Sequence, residues 1–193
     1  MSDKKKTMVF IDASNLLGGW WTYCKENGFV RTNNNGKKEL TKKIDYSKLI
    51  KEITKDTDFI RGYFYDSVEE PIDGKKSGFF DKLRSLEITV VTKRLRFKDV
   101  QCKHCSKMDV HVPYQKGVDV SLVTDVMGLA FEKAYDTAII VSGDNDFVDA
   151  INFIKRKGLK VWVVSFLNCL GEDTMRAGDR TIHLDKLFNN LTL

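Results

Sequence analysis

A three-layer α/β domain with a mostly parallel central sheet is predicted by two apolar runs and by the rhythm of the segments between them. Met8-Val9-Phe10-Ile11 and Ala138-Ile139-Ile140-Val141 are of strand length, uncharged and largely β-branched, so they read as strands buried on both faces of a parallel sheet. Strand-like and helix-like patterns alternate from end to end, and alternating β and α units close through right-handed crossovers. Both runs stop on carboxylates, Asp12 in the first case and Asp144 and Asp146 in the second. Ligand chemistry in an open α/β sheet collects beyond the carboxyl ends of the strands, where strand order reverses. Carboxylates crowded there need something positive between them, and a divalent cation is the natural candidate.

The elements follow in order. The first strand covers residues 8–12 and opens into a Gly-containing segment, with residues 16–24, rich in aromatics, as a loop or short helix. Residues 29–44 are polar and basic around Asn33-Asn34-Asn35-Gly36, a turn pattern that marks an irregular or hairpin insertion. Asp45 can cap a helix running to about Thr54, with Leu49, Ile50 and Ile53 on one stripe. Phe59 to Tyr65 is the second strand, followed by a helix at about Phe79 to Leu86 and a strand at Ile88 to Val91. Residues 93–117 break the rhythm as a basic, Cys-containing insertion in an otherwise single domain spanning 1–193. Val118 to Ala134 reads as a helix with Leu122, Val126, Leu129, Ala130 and Phe131 toward the core. A strand at 138–142, a helix at about 146–157, a strand at Leu159 to Ser165 and a short strand near Thr181 to Leu184 complete the chain.

The bulk properties narrow the class. The chain has 193 residues, 42% hydrophobic and 31% charged, with two prolines, which describes a globular chain with a sizeable core. The net charge of +5 is unevenly spread, with carboxylates in the motifs and cations crowding other segments, which suits a polyanion processed by metal ions. No apolar stretch approaches the roughly 20 residues of a membrane span, and residues 2–6 lead straight into a strand instead of an export signal. A cytoplasmic protein without membrane association is expected, and its four cysteines are expected as thiols or metal ligands. Neither a GxxxxGK[ST] nor a GxGxxG loop occurs, which argues against an NTPase or a dinucleotide-binding protein. A receiver-like phosphoacceptor also carries acidic groups at strand ends, but it has no need of Asp119 or of the Ser-Gly-Asp-Asn-Asp block.

Each carboxylate has a structural alternative. Asp12 at a strand end can serve as a turn or helix cap, and Asn15 can cap or can orient a ligand or water. One of Asp144, Asn145 and Asp146 should be the N-cap of the following helix, which leaves at least one acidic group beyond the capping need. Asp119 has Leu122, Val123 and Val126 at i+3, i+4 and i+7, so it is expected to head an apolar stripe. The helix dipole favours an Asp in a first turn by about 0.5 kcal/mol. A carboxylate on a core-facing stripe still needs a partner, and a metal shared with Asp12 and Asp144 would supply it. Asp125 lies about 120° further round the helix and reads as solvated or as a more distant support.

Phe10-Ile11-Asp12-Ala13-Ser14-Asn15, Lys116-Gly117-Val118-Asp119-Val120 and Val141-Ser142-Gly143-Asp144-Asn145-Asp146-Phe147 together resemble the NYN domain of the PIN-like nuclease superfamily, with the LabA-like branch the nearest. The resemblance covers roughly residues 7–166. It implies a Rossmann-like PIN/NYN fold and a metal-dependent ribonuclease whose site residues are Asp12, Asn15, Asp119, Asp144 and Asp146. The Cys-containing insert and the segment after Phe166 are less typical of the family. Phosphodiester hydrolysis needs an activated water and a neutralised leaving oxygen, and one or two Mg²⁺ or Mn²⁺ ions meet both needs. Oxygen-only ligands favour these hard cations over zinc. Asp12 and Asp144 would bind directly, Asp119 and Asp146 directly or through water, and Asn15 would position a water or the phosphate.

Other segments stay open. Cys102-Lys103-His104-Cys105 with His111 has the spacing of half a zinc knuckle. Structural Zn²⁺, completed by His104 and His111 or by a second chain, and free thiols on a hairpin are both compatible with it. Lys93, Arg94, Arg96, Lys98, Lys103, Lys107 and Lys116 form a basic stretch that can contact RNA phosphates or serve as a solvated face. Trp20, Trp21 and Tyr23 can stack on unpaired bases, although core or rim packing is expected for at least two of them. The expected activity is cleavage of single-stranded or structured RNA. The alternative is a catalytically silent RNA- or protein-binding regulator on the same fold, and a homodimer is left open.

Overall fold

The computed structural model describes residues 4–101 and 109–193. Strand β1 (Lys6–Asp12) leads into helix α1 (Ala13–Glu26), a ribbon of β2 (Val30–Thr32) and β3 (Lys38–Leu40), helix α2 (Tyr46–Thr54), strand β4 (Asp58–Val68), helix α3 (Gly74–Ser85) and strand β5 (Ile88–Arg94). A second ribbon, β6 (Arg96–Gln101) and β7 (Asp109–Tyr114), precedes helix α4 (Val118–Phe131) and strand β8 (Thr137–Val141). Helix α5 (Val148–Arg156), strand β9 (Lys160–Ser165), helix α6 (Glu172–Ala177), strand β10 (Arg180–His183) and the short helix α7 (Leu184–Leu187) follow.

Six strands form one sheet in the order β10-β9-β8-β1-β4-β5, and every pair is parallel. The chain starts in the middle, runs outward through β4 and β5, then returns to build β8, β9 and β10 on the other side of β1. The order therefore reverses between β1 and β8, which is where an open α/β sheet forms its crevice. Side chains alternate along β1. Val9 and Ile11 pack with Leu16 and Trp20 of α1, Leu49 and Ile53 of α2, and Phe80 and Leu83 of α3. Met8 and Phe10 pack with Leu122 and Val126 of α4 and Ile151 and Ile154 of α5. Helices on both faces explain why the central strands carry no polar alternation.

The departures from expectation have local causes. Asp12 stands in extended backbone and caps α1, so the helix begins at Ala13 with no intervening loop. Gly19 inside it permits close packing, because a Cβ there would lie 2.7 Å from Cys169 Sγ. Helix α3 begins several residues before Phe79 because Asp73 caps it through the Lys75 and Lys76 N–H groups. On α4 the buried stripe is Val118, Leu122, Val126 and Ala130, so Leu122, Val126 and Ala130 face the core as expected while Leu129 and Phe131 fall outside the stripe. Leu129 is half-buried, and Phe131 is 72% exposed beneath Lys157, whose Nζ lies 5.1 Å from the ring centroid. Asp119 correspondingly does not head the stripe but stands beside it, exposed.

Phe10 fixes the centre of β1. It is fully buried, stacked on Tyr63 at 5.3 Å and edge-on to Tyr135 at 5.8 Å. Replacing it with Ala should cost about 3–5 kcal/mol, read as a lowered midpoint in chemical denaturation with the slope unchanged.

Candidate functional site

Strand β1 delivers Asp12 to the switch point. The register places Ile11 beside Val141, so Asp12 and Ser142 leave the sheet side by side. Asp12 is 2% exposed and its carboxylate is held at both oxygens. Oδ1 accepts from Ser14 N at 3.0 Å, Ser14 Oγ at 2.9 Å and Asn15 N at 3.2 Å. Oδ2 accepts from Ser142 Oγ at 3.1 Å. The residue is a helix cap and a buried carboxylate at once.

Asn15, on the first turn of α1, accepts the Gly143 N–H on Oδ1 at 3.0 Å. Gly143 has no room for a side chain, since a Cβ would stand 2.2 Å from the Cys169 carbonyl oxygen. Asp144 accepts from Asp146 N at 3.0 Å and caps the short turn Asn145–Phe147. That takes up one acid for capping and leaves the exposed Asp146 carboxylate with no structural duty among the described residues.

The loop is braced from behind by a segment the sequence reading did not weigh. Thr174 on α6 is fully buried. Its N–H donates to Asn145 Oδ1 at 3.1 Å, and its hydroxyl donates to the Asp144 carbonyl at 2.7 Å. Gly171 N donates to the Gly143 carbonyl at 2.7 Å. A Cβ at Gly171 would lie 2.0 Å from Asn145 Oδ1. Ser142 was visible as a polar residue ending an apolar strand, whereas Gly171 and Thr174 carry no local motif.

Gly117, at φ +82°, turns the chain into α4 and places Asp119 in the first turn. Burial raises the Asp119 pKa above its usual 3.8, and the negative charges of Asp12, Asp144 and Asp146 raise it further. The four acidic groups therefore share one electrostatic field, and among the described residues none is ion-paired with a Lys or Arg. Asp125 is engaged elsewhere, accepting from Tyr65 Oη at 2.9 Å. Among the described residues no three His, Cys, Asp or Glu side chains gather into a ready-made metal cage. An all-oxygen set of this looser kind fits a cation such as Mg²⁺, which keeps several waters and binds through one or two carboxylates.

The remaining expected residues scatter. Lys93, Arg94, Arg96 and Lys98 are exposed along the end of β5 and on β6, and Lys116 is exposed before α4. Arg94 faces Glu70 at 3.8 Å, and Lys98 lies 5.7 Å from the Tyr114 ring centroid. Trp20 is buried and Tyr23 half-buried, both packed on Phe166 and Phe188; Trp21 is exposed at the rim. Cys102, His104 and Cys105, with Lys103 and Lys107, lie outside the described residues, as does the side chain of His111.

Residues 6–185 match the sequence model of the NYN domain. The low amplitude and bright protein LabA of Synechococcus elongatus is 30% identical over 132 residues, which is 67% of this chain and 65% of that protein. This chain thus spans less than two thirds of that relative's length. The crystal structure of a protein of unknown function from Vibrio parahaemolyticus superposes with a TM-score of 0.66 and 20% identity, covering 100% of this chain and 99% of that one. At that identity the similarity is one of fold.

The Asp119 shift has a definite sign. A carboxyl whose folded pKa lies above its unfolded value binds more protons when folded, so its contribution to stability falls as pH rises through and above the carboxylate range. In metal-free buffer at neutral pH, Asp119→Asn should melt at or above the wild-type temperature. That advantage should vanish as pH drops toward the ordinary pKa of 3.8. Mn²⁺ should raise the wild-type melting temperature more than the variant's. A clear loss in the metal-free variant with an unchanged Mn²⁺ response would make Asp119 a helix cap only.

Proposed function

This chain belongs to the NYN domain family of the PIN-like nuclease superfamily, in its LabA-like branch, and from that premise we propose that it is a metal-dependent ribonuclease. In this reading residues 1–193 form one such domain with 93–117 inserted, acting on single-stranded or structured RNA in the cytoplasm. The observation that carries it is the meeting of Asp12 with the turn of Asp144 and Asp146 at the carboxyl ends of β1 and β8, with Asp119 feeling all three charges. Four acidic groups sharing one field, with no Lys or Arg partner among the described residues, favour a cation between them.

Asp12 and Asp144 would hold Mg²⁺ or Mn²⁺, with Asp119 and Asp146 contributing directly or through water. Such a cation supplies Lewis-acid activation of a water and neutralises the leaving oxygen. The protein's own part is orientation. Four donors fix the Asp12 carboxylate. The Gly143 N–H occupies Asn15 Oδ1, which keeps the amide donors of Asn15 available for a phosphate oxygen or a water. Thr174 holds the Asp144–Asn145 backbone still from the buried side. Arg94, Arg96, Lys98 and Lys116 would take phosphates, setting affinity and salt dependence and leaving sequence choice to other contacts.

Labelled RNA should be cut in Mg²⁺ or Mn²⁺ and spared in EDTA. Asp12→Asn and Asp144→Asn keep the shape and one acceptor oxygen while removing the charge and the second acceptor. Each should lower the rate by more than about a hundredfold, since even outer partners of a metal site cost about 10–100-fold when removed. Undiminished cutting in EDTA or wild-type rates in both variants would overturn the mechanism. Tight RNA binding without cleavage in either metal would assign the fold to a silent regulator.

Replacing Arg94, Arg96 and Lys98 with Ala should weaken RNA binding. It should also flatten its salt dependence by about one unit of log–log slope per lost phosphate contact. An unchanged slope in a filter-binding titration would make this stretch solvated surface.

A further inference from the structure

The α1–α2–α3 face holds a groove of about 790 Å³, within the roughly 300–1,000 Å³ range of small-molecule sites. The proposed nuclease reading does not use it. Trp20, Ile44 and Leu83 line it as buried residues, with Phe79 and Leu86 half-buried beside them. Lys43, Lys75 and Lys82 stand exposed at its rim, and none has an acidic partner among the described residues. The acids nearby are already engaged. Asp45 caps α2 and faces Lys48, and Asp66 pairs with Lys76 at 2.6 Å.

Two further features concern the wall formed by α3 and the start of α2. Gly74 and Gly78 lie one turn apart on α3, and a Cβ at either would meet no atom within 4 Å. Neither has the positive φ that calls for glycine. A glycine inside a helix costs about 0.5–1 kcal/mol relative to Ala, so at Gly78 neither backbone geometry nor close packing accounts for the residue, while its absence of a side chain keeps the groove deep. Tyr46 also lines the groove. Its hydroxyl is shut away from solvent and lies within the field of Asp66, so it offers a groove ligand no donor.

We propose that this groove binds a small amphipathic anion, of the class of a medium-chain carboxylate. Its apolar body would cover the Trp20–Leu83 floor and its anionic group would meet the rim lysines. The apolar lining selects for the body and the unspent positive charge selects for the head. RNA matches less well, because the floor offers few polar partners for base edges.

Isothermal titration of the full chain with decanoate, below its self-association concentration, tests this, with decyltrimethylammonium and UMP as comparison probes. Decanoate should bind saturably and raise the melting temperature. The cationic probe, with the same tail, should bind at least about tenfold more weakly, a difference of about 1.4 kcal/mol. Gly78→Phe should fill the groove, melt no lower than wild type and weaken decanoate binding by about tenfold or more. Lys43→Gln with Lys82→Gln should weaken decanoate while leaving the cationic probe unchanged or better bound; this pair carries the test should Gly78→Phe fail to fold, and wild-type decanoate affinity in it would overturn the proposal. Absence of saturable decanoate binding, equal affinity for the two tails, or wild-type affinity in folded Gly78→Phe would overturn the proposal. So would UMP binding that outcompetes decanoate. RNA cleavage is not a readout, so failure of the nuclease reading leaves this outcome intact.

Discussion

Two hydrogen bonds across the switch point, from Ser142 Oγ to Asp12 Oδ2 and from Gly143 N to Asn15 Oδ1, join the two halves of the chain where the acids meet. Strands β1 and β8 are neighbours in the sheet but about 130 residues apart along the chain. Parallel pairing brings their carboxyl ends together, yet sheet hydrogen bonds stop at Ile11 and Val141. Beyond that row the two strands no longer pair with each other, and the cross-links that place the carboxylates run through Ser142, Asn15 and the Gly143 backbone. Asp12 and Asn15 belong to the start of α1, and Asp144 and Asp146 to the turn after β8. The relative position of the two pairs depends on this junction.

The junction is held by exclusion as much as by attraction. Gly143 and Gly171 sit where any Cβ would collide with backbone or with Asn145 Oδ1, so α6 can approach closely enough for Thr174 to reach the Asp144 carbonyl and the Asn145 amide. A buried hydroxyl and a buried N–H would each be costly if left unpaired. Satisfying them on the loop ties the packing of α6 to the loop's shape, and a shift of α6 would expose that cost. Rigid support of this kind suits a centre built for geometry.

How far the sequence could be read depended on whether a feature was local. The apolar strands, the Asp45 cap and the carboxylates at strand ends were legible because each is written in a few adjacent residues. Parallel order followed from the β/α rhythm. The α4 face was right at Leu122, Val126 and Ala130 but drawn too wide at Leu129 and Phe131, because so apolar a helix gives periodicity little with which to mark an edge. Gly18 and Gly19 left residues 16–24 open between a loop and a short helix, whereas Gly19 serves the close contact of helix α1 with Cys169 and Phe166. Thr174 and Gly171 were not legible at all, since their partners lie roughly 30 residues away and are defined only once the chain has folded. The grouping of Asp119 with Asp12 and Asp144 came from its apolar i+3, i+4 and i+7 neighbours as well as from the family resemblance, and the charges of Asp12, Asp144 and Asp146 raise its pKa.

The acids divide into two kinds, and the division explains how the fold tolerates them together. Asp12 is buried, where an unpaired charge would be most costly, and it receives four hydrogen bonds from α1 and Ser142. Asp146 is exposed, where water screens its charge, while Asp119 is on the surface but partly desolvated. Asp119 also begins a 14-residue helix, whose dipole favours an anion at that end by about 0.3–1 kcal/mol. The repulsion that survives falls on Asp119. Asp12 is thereby committed to structure whatever its ligand, while the exposed acids remain free to exchange repulsion for a cation.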